Sequence, residues 1–225
     1  MTTVVAIYTG QGLAEPLKAV FSELLPDCRL VNIIDDSLIA DVVRDQAVTA
    51  AVTRRLLQYY ETAVEIGADV ILNTCSSVGE VVALGQRVVD VPIVRIDEPM
   101  ASEAVRKCDR IGVIATLPST LQPTMRLLRS QAEKAGRTVK LIEGLAEGAY
   151  QALVNGEPDK HDALILATAV QLTPRVDALV LAQGSMARME QKLAEATLLP
   201  VFSSPRRGVQ AVKAALENKT GLVNT

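Results

Sequence analysis

Asp69-Val70-Ile71-Leu72-Asn73-Thr74-Cys75-Ser76-Ser77 decides the fold, because it recurs as Asp177-Ala178-Leu179-Val180-Leu181-Ala182-Gln183-Gly184-Ser185. The offset is 108 residues (183 − 75), and it finds partners elsewhere in the chain. Val4-Val5-Ala6-Ile7 falls on Gly112-Val113-Ile114-Ala115, and Arg29-Leu30-Val31-Asn32-Ile33-Ile34-Asp35 on Arg137-Thr138-Val139-Lys140-Leu141-Ile142-Glu143. Val91-Pro92-Ile93-Val94 falls on Leu199-Pro200-Val201-Phe202. Four strand-length segments in one gapless register predict two similar α/β units in tandem. The expected organisation is an N-terminal lobe over 1–107, a C-terminal lobe over 108–215, and a tail over 216–225 free to pack back on the first lobe.

Each short run is continuously apolar and rich in Val and Ile, which marks strands buried on both faces and therefore parallel. Helical stretches separate them. Leu13 to Leu25 stops before Pro26, Asp41 to Ile66 carries a helical apolar period and stops at Gly67, and Ser77 to Val88 follows the third strand. The fold class is α/β: two pseudosymmetric lobes, each a parallel four-stranded sheet flanked by helices, with the active site in the cleft between them. Ligands of such sheets bind outside the carboxyl ends of the strands.

Composition narrows the function classes. The 225 residues carry 23 Lys+Arg against 26 Asp+Glu, a net charge of -3, which argues against a nucleic-acid binder that tracks phosphates. Aromatics make up 3% with no Trp, so stacking platforms for single strands are missing too. The three cysteines Cys28, Cys75 and Cys108 lack the spacing of a metal site, and His161 is the single histidine. No metal is expected. With no leader-like N-terminus and no apolar run of membrane-spanning length, the chain reads as cytoplasmic and free of membrane partners, its thiols reduced. The apolar-rich composition favours a homo-oligomer. The polar run Asp159-Lys160-His161-Asp162 puts His161 on the surface.

The candidate site residues follow the strands. After the first come Thr9-Gly10-Gln11-Gly12, a tight turn whose N–H groups suit an anion as well as they suit a plain turn. After the third come Asn73, Thr74, Cys75, Ser76 and Ser77, where Ser77 and Glu80 have capping-box spacing. A helix starting there would hold Cys75 at its positive end and lower the thiol pKa. Cys28 and Cys108 precede strands and read as inert. In the second half, Thr116, Ser119 and Thr120 follow the first strand and serve either to bind a small anion or to cap a helix. Gln183, Gly184 and Ser185 follow the third, with Gln183 in the place of Cys75. Arg95, Arg188, Arg206 and Arg207 lie near strand ends and could fix a second carboxylate, although each reads singly as a solvated charge.

These residues resemble the aspartate/glutamate/hydantoin racemase superfamily, whose members have two pseudosymmetric α/β lobes, each ending its third strand in a catalytic Cys. Asn73-Thr74-Cys75-Ser76 matches the first-lobe motif, and Gly112-Val113-Ile114-Ala115-Thr116 resembles the segment that opens the second lobe. The resemblance implies an isomerase that uses no cofactor and acts at the carbon next to the carboxylate of a small acid. Cys75 would be base or nucleophile, with Gln183 and Ser185 opposing it. Thr9, Gln11, Asn73, Ser76, Ser77, Thr116, Ser119, Thr120 and Gly184 would bind substrate. The second-lobe Cys and the usual second-lobe His are absent, so two-base racemisation lacks its second acid. Arylmalonate decarboxylases resemble this single-thiol pattern with the Cys in the other lobe, and maleate isomerases use a first-lobe Cys as nucleophile. The alternatives are therefore a single-thiol decarboxylase and a non-catalytic two-lobed protein that binds a small anion.

Overall fold

A computed structural model describes residues 1–223, with side chains through Lys219. It contains two compact units, one formed by residues 1–97 and the helix that starts at Pro205, the other by Glu98–Ser204. Among the described residues no helix is long and apolar enough to cross a membrane.

The first unit holds β1 (Thr3–Tyr8), α1 (Ala14–Leu24), β2 (Arg29–Ile34), α2 (Ser37–Asp45), α3 (Ala50–Glu65), β3 (Val70–Asn73), α4 (Val82–Gly85), β4 (Ile93–Arg95) and, from the chain's other end, α10 (Pro205–Val223). The second holds α5 (Glu98–Lys107), β5 (Arg110–Ala115), α6 (Pro118–Lys134), β6 (Lys140–Leu145), α7 (Ala149–Val154), α8 (Pro158–Leu172), β7 (Ala178–Leu181), α9 (Glu190–Thr197) and β8 (Val201–Phe202). The sheets run β2-β1-β3-β4 and β6-β5-β7-β8, with every pair parallel. Alternate residues of β1 enter opposite cores: Val5 and Ile7 join one apolar cluster, and Val4, Ala6 and Tyr8 the other. Burial on both faces explains the unbroken apolar run.

The repeat is real, and its register drifts. β3 and β4 answer to β7 and β8 at 108 residues, since Ile71 pairs with Ile93 as Leu179 pairs with Val201 (179 − 71). β1 answers to β5 at 107, because Val4 pairs with Val70 as Ile111 pairs with Ala178 (111 − 4). β2 answers to β6 at 111, because Val4 pairs with Leu30 as Ile111 pairs with Leu141 (141 − 30). The extra length lies partly in α6, which has 17 residues against 11 in α1. The single gapless offset is thereby corrected, and Thr9 becomes the counterpart of Thr116.

Two further expectations change. The helix read over Asp41–Ile66 is two helices, because Gln46 turns left-handed at φ 50 and the Thr49 hydroxyl accepts the Val52 N–H to start α3 afresh. The unit boundary falls at 97/98 where the sequence suggested 107/108. The helix after β4 packs its Met100, Ala101, Ala104 and Val105 into the second unit's core. The helix after β8 packs Val209, Val212 and Leu216 into the first unit's core, so that α10 covers much of what was read as the second lobe's end and the tail.

Candidate active site

The order β2-β1-β3-β4 leaves a crevice at the carboxyl ends of β1 and β3, where the chain turns to opposite sides of the sheet. Thr9 follows β1 and Cys75 follows β3, so the topology brings these two side chains together. The Cys75 sulfur receives hydrogen bonds from the Thr9 hydroxyl, the Ser77 hydroxyl, and the Ser77 and Val78 N–H groups. Cys75 is part-exposed, with the rest of it packed against the apolar cluster that includes Ile71, Val78 and Tyr60. That burial outweighs the four hydrogen bonds, and the thiol pKa is raised.

The direction is opposite to the one the sequence suggested. The residues after Cys75 form a 3-10 turn, Ser76–Val81, with Cys75 at its N-cap and no capping side-chain bond, and α4 adds only four residues. Cys75, not Ser77, is the N-cap, since Ser77 lies inside the turn, and Glu80 is exposed. A short 3-10 turn supplies two N–H donors and little dipole. At neutral pH Cys75 is a thiol. Its alkylation by iodoacetamide is expected to have a pH midpoint above about 8.5, the free-cysteine value, and higher still in Thr9→Val. A midpoint below the free value, followed on the Cys75 peptide by mass spectrometry, would contradict this environment.

The other first-unit candidates divide. Asn73 is fully buried; its Nδ2 donates to the Cys75 carbonyl at 3.4 Å, while its Oδ1 has no partner. Ser76 and Ser77 are buried beside Cys75. Gln11 is exposed and donates to Asp36 at 2.8 Å, so its side chain is committed away from the sulfur.

The second unit repeats this geometry with different chemistry. Gln183 is the N-cap of a 3-10 turn, Gly184–Met189, as Cys75 is of Ser76–Val81. The Gln183 Oε1 accepts the Thr116 N–H at 2.7 Å, and its Nε2 donates to the Thr116 hydroxyl at 2.7 Å. The amide therefore takes the Thr116 N–H away from any anion and leaves the hydroxyl with its own proton to donate. Ser119 keeps a buried hydroxyl without a partner, Thr120 is buried, Gly184 is half-buried and Ser185 is exposed. The cap of α6 is Leu117, with no side-chain bond and Pro118 in the first turn, so neither Ser119 nor Thr120 caps it. Gln183→Ala strands the buried Thr116 N–H, and urea unfolding is expected to show a loss of about 1–3 kcal/mol.

Three features escaped the sequence reading. Arg95 is almost buried and binds the fully buried Asp97 through two bonds, Nε to Oδ1 at 2.6 Å and Nη2 to Oδ2 at 3.0 Å. Tyr60 is buried in the same cluster that Cys75 packs against, its hydroxyl without a partner and its pKa raised by burial. His161 is 1% exposed, correcting its surface assignment: its Nδ1 lies 2.8 Å from Asp162 Oδ1, and Asp162 binds Arg188. An i, i+4, i+8, i+11 line through Ile165, Ala169 and Leu172, with His161 at its start, was the available signal, masked by Asp159 and Lys160. Of the four strand-end arginines, Arg95, Arg188 and Arg206 are held by Asp97, Asp162 and Glu23 respectively, and Arg207 has an interaction of its own.

The fold is similar to glutamate racemase isoform RacE1 from Bacillus anthracis, with a TM-score of 0.77 and 14% identity over 97% of this chain and 82% of that one. Allantoin racemase from Klebsiella pneumoniae is similar at 0.70 and 16% over 97% and 89%. An arylmalonate decarboxylase mutant is similar at 0.62 and 15% over 96% and 93%. At such identities the likeness is one of fold. No curated protein gives a significant match. The family model for Asp/Glu/hydantoin racemase matches residues 4–212, nearly the whole chain, and the protein belongs to that family.

Proposed function

We propose that the protein is a cofactor-independent isomerase of the racemase type, acting at the carbon next to the carboxylate of a small acid, with Cys75 exchanging the proton. The observation that carries this reading is the position of Cys75. Cys75 is a half-buried residue at the switch point of the first sheet, its sulfur ringed by the Thr9 and Ser77 hydroxyls and two turn N–H groups. Those four donors stabilise the thiolate, the form that takes the α-proton and returns it as the thiol; the raised pKa makes that thiolate a stronger base while it holds most of the resting group protonated. The α-proton of a carboxylate is weakly acidic, so the developing carbanion needs fixed donors around it. Ser76, buried beside Cys75, supplies a further hydroxyl in the same unit.

The experiment is solvent exchange. α-Amino and α-hydroxy acids of both configurations are incubated in D2O, and deuterium at the α-carbon and inversion are followed by NMR and chiral chromatography. A broad panel with neither exchange nor inversion would remove the proposal. A second reading, a decarboxylase, draws on Gln183 standing where Cys75 has its counterpart. Protonating the enolate left by departing carbon dioxide needs one acid only. Carbon dioxide released from substituted malonates, without exchange into simple acids, would select it.

A further inference from the structure

The amino ends of the first sheet, opposite to Cys75, border a cavity of about 220 Å³. Thr2, Cys28 and Asp69, which precede β1, β2 and β3, line it on one side, and the later turns of α10 line it on the other. Its apolar surface comes from Leu25 and Leu216, both members of the core cluster beneath α1 and α10.

The charges around it are unequally committed. Asp69 accepts the Thr3 N–H at 2.9 Å and the Lys219 ammonium at 2.7 Å, which hold its carboxyl below the usual range. Glu217 has an interaction of its own. Lys213 is exposed on the rim and, among the described residues, has no ion pair. The chemistry left for a ligand is one ammonium beside an apolar wall. We propose that this cavity binds a small organic monoanion with an apolar body, such as a short aliphatic or monocyclic carboxylic acid. Lys213 pairs with its carboxylate and Leu25 and Leu216 cover its hydrocarbon. The volume, below the usual 300–1,000 Å³ of drug-sized sites, limits it to that size.

Cys28 lines the cavity and reports on occupancy. Full-length protein is alkylated with iodoacetamide, which carries no charge, in the presence of hexanoate or benzoate, and modification is read on the Cys28 and Cys75 peptides separately. At an acid concentration ten times its dissociation constant, Cys28 modification is expected to slow about tenfold. Hexanol gives no such protection, and Lys213→Gln removes it. Failure of both acids to protect Cys28, equal protection by hexanol, or undiminished protection in Lys213→Gln overturns the proposal. Because Cys75 is followed on its own peptide, the outcome is independent of the reaction assigned to it.

Discussion

Replacing Cys75 by serine is expected to lower α-proton exchange by roughly 10²–10⁴-fold, the range that a positioned acid or base contributes. Serine fits the space and can take the same bonds from Thr9, Ser77 and Val78 that the sulfur takes now, so the unfolding curve should stay close to wild type. What changes is proton affinity: a hydroxyl does not ionise near the pH at which even a raised thiol does. Thr9→Val is the graded companion. It keeps the thiol and removes one hydrogen bond to the charged form, for which about tenfold or more in rate is expected. It also lowers the thiolate fraction at any given pH, so its rate should recover toward wild type as pH rises. The measurement is the pH profile of deuterium exchange in the three proteins. Full activity in Cys75→Ser would move the chemistry to another group.

The outcome also shows how much of the site could be read beforehand. The inner strands of each sheet were legible because burial on both faces forces an apolar run, whereas the edge strands β2 and β6 are part-exposed. β1, β3, β5 and β7, the central strands, were the plainest. The place of Cys75 at a strand end was legible because it directly follows the apolar run of β3. The partnership between Thr9 and Cys75 was partly hidden. Its counterpart, Thr116 with Gln183, appears only when β1 is matched to β5 at 107 residues instead of 108 (110 − 3). A one-residue drift leaves an apolar pattern almost unchanged, since these strands are buried on both faces. The direction of the thiol pKa depended on whether a long helix or a 3-10 turn follows the sulfur, which local spacing does not settle. The unit to which α5 and α10 belong was illegible for a different reason. An amphipathic helix displays an apolar face and carries no label for the sheet it will cover.

Arg95→Met is expected to be the most destabilising single change near the site, at about 3–5 kcal/mol, because it leaves a buried carboxylate uncompensated. Asp97 is 0% exposed and both its oxygens are held by the guanidinium. For a chain of this size the loss corresponds to roughly 2–4 °C in Tm per kcal/mol. Removing both charges, in Arg95→Met with Asp97→Leu, should recover much of it, since an apolar pair of similar volume avoids the desolvation of two ions. Activity should not recover in step. A Cβ on Gly79 would overlap Arg95 Nε, so the guanidinium packs directly on the turn that carries the Ser77 and Val78 N–H groups. The double variant is then a folded protein whose turn has lost its packing partner, and its exchange rate should stay well below wild type while its Tm approaches it. Urea and thermal unfolding of the two variants, with deuterium exchange alongside, separate the stabilising role of the ion pair from its effect on the thiol. If Arg95→Met unfolds like an ordinary surface substitution, Asp97 is neutralised in some other way and the ion pair is not what holds the turn.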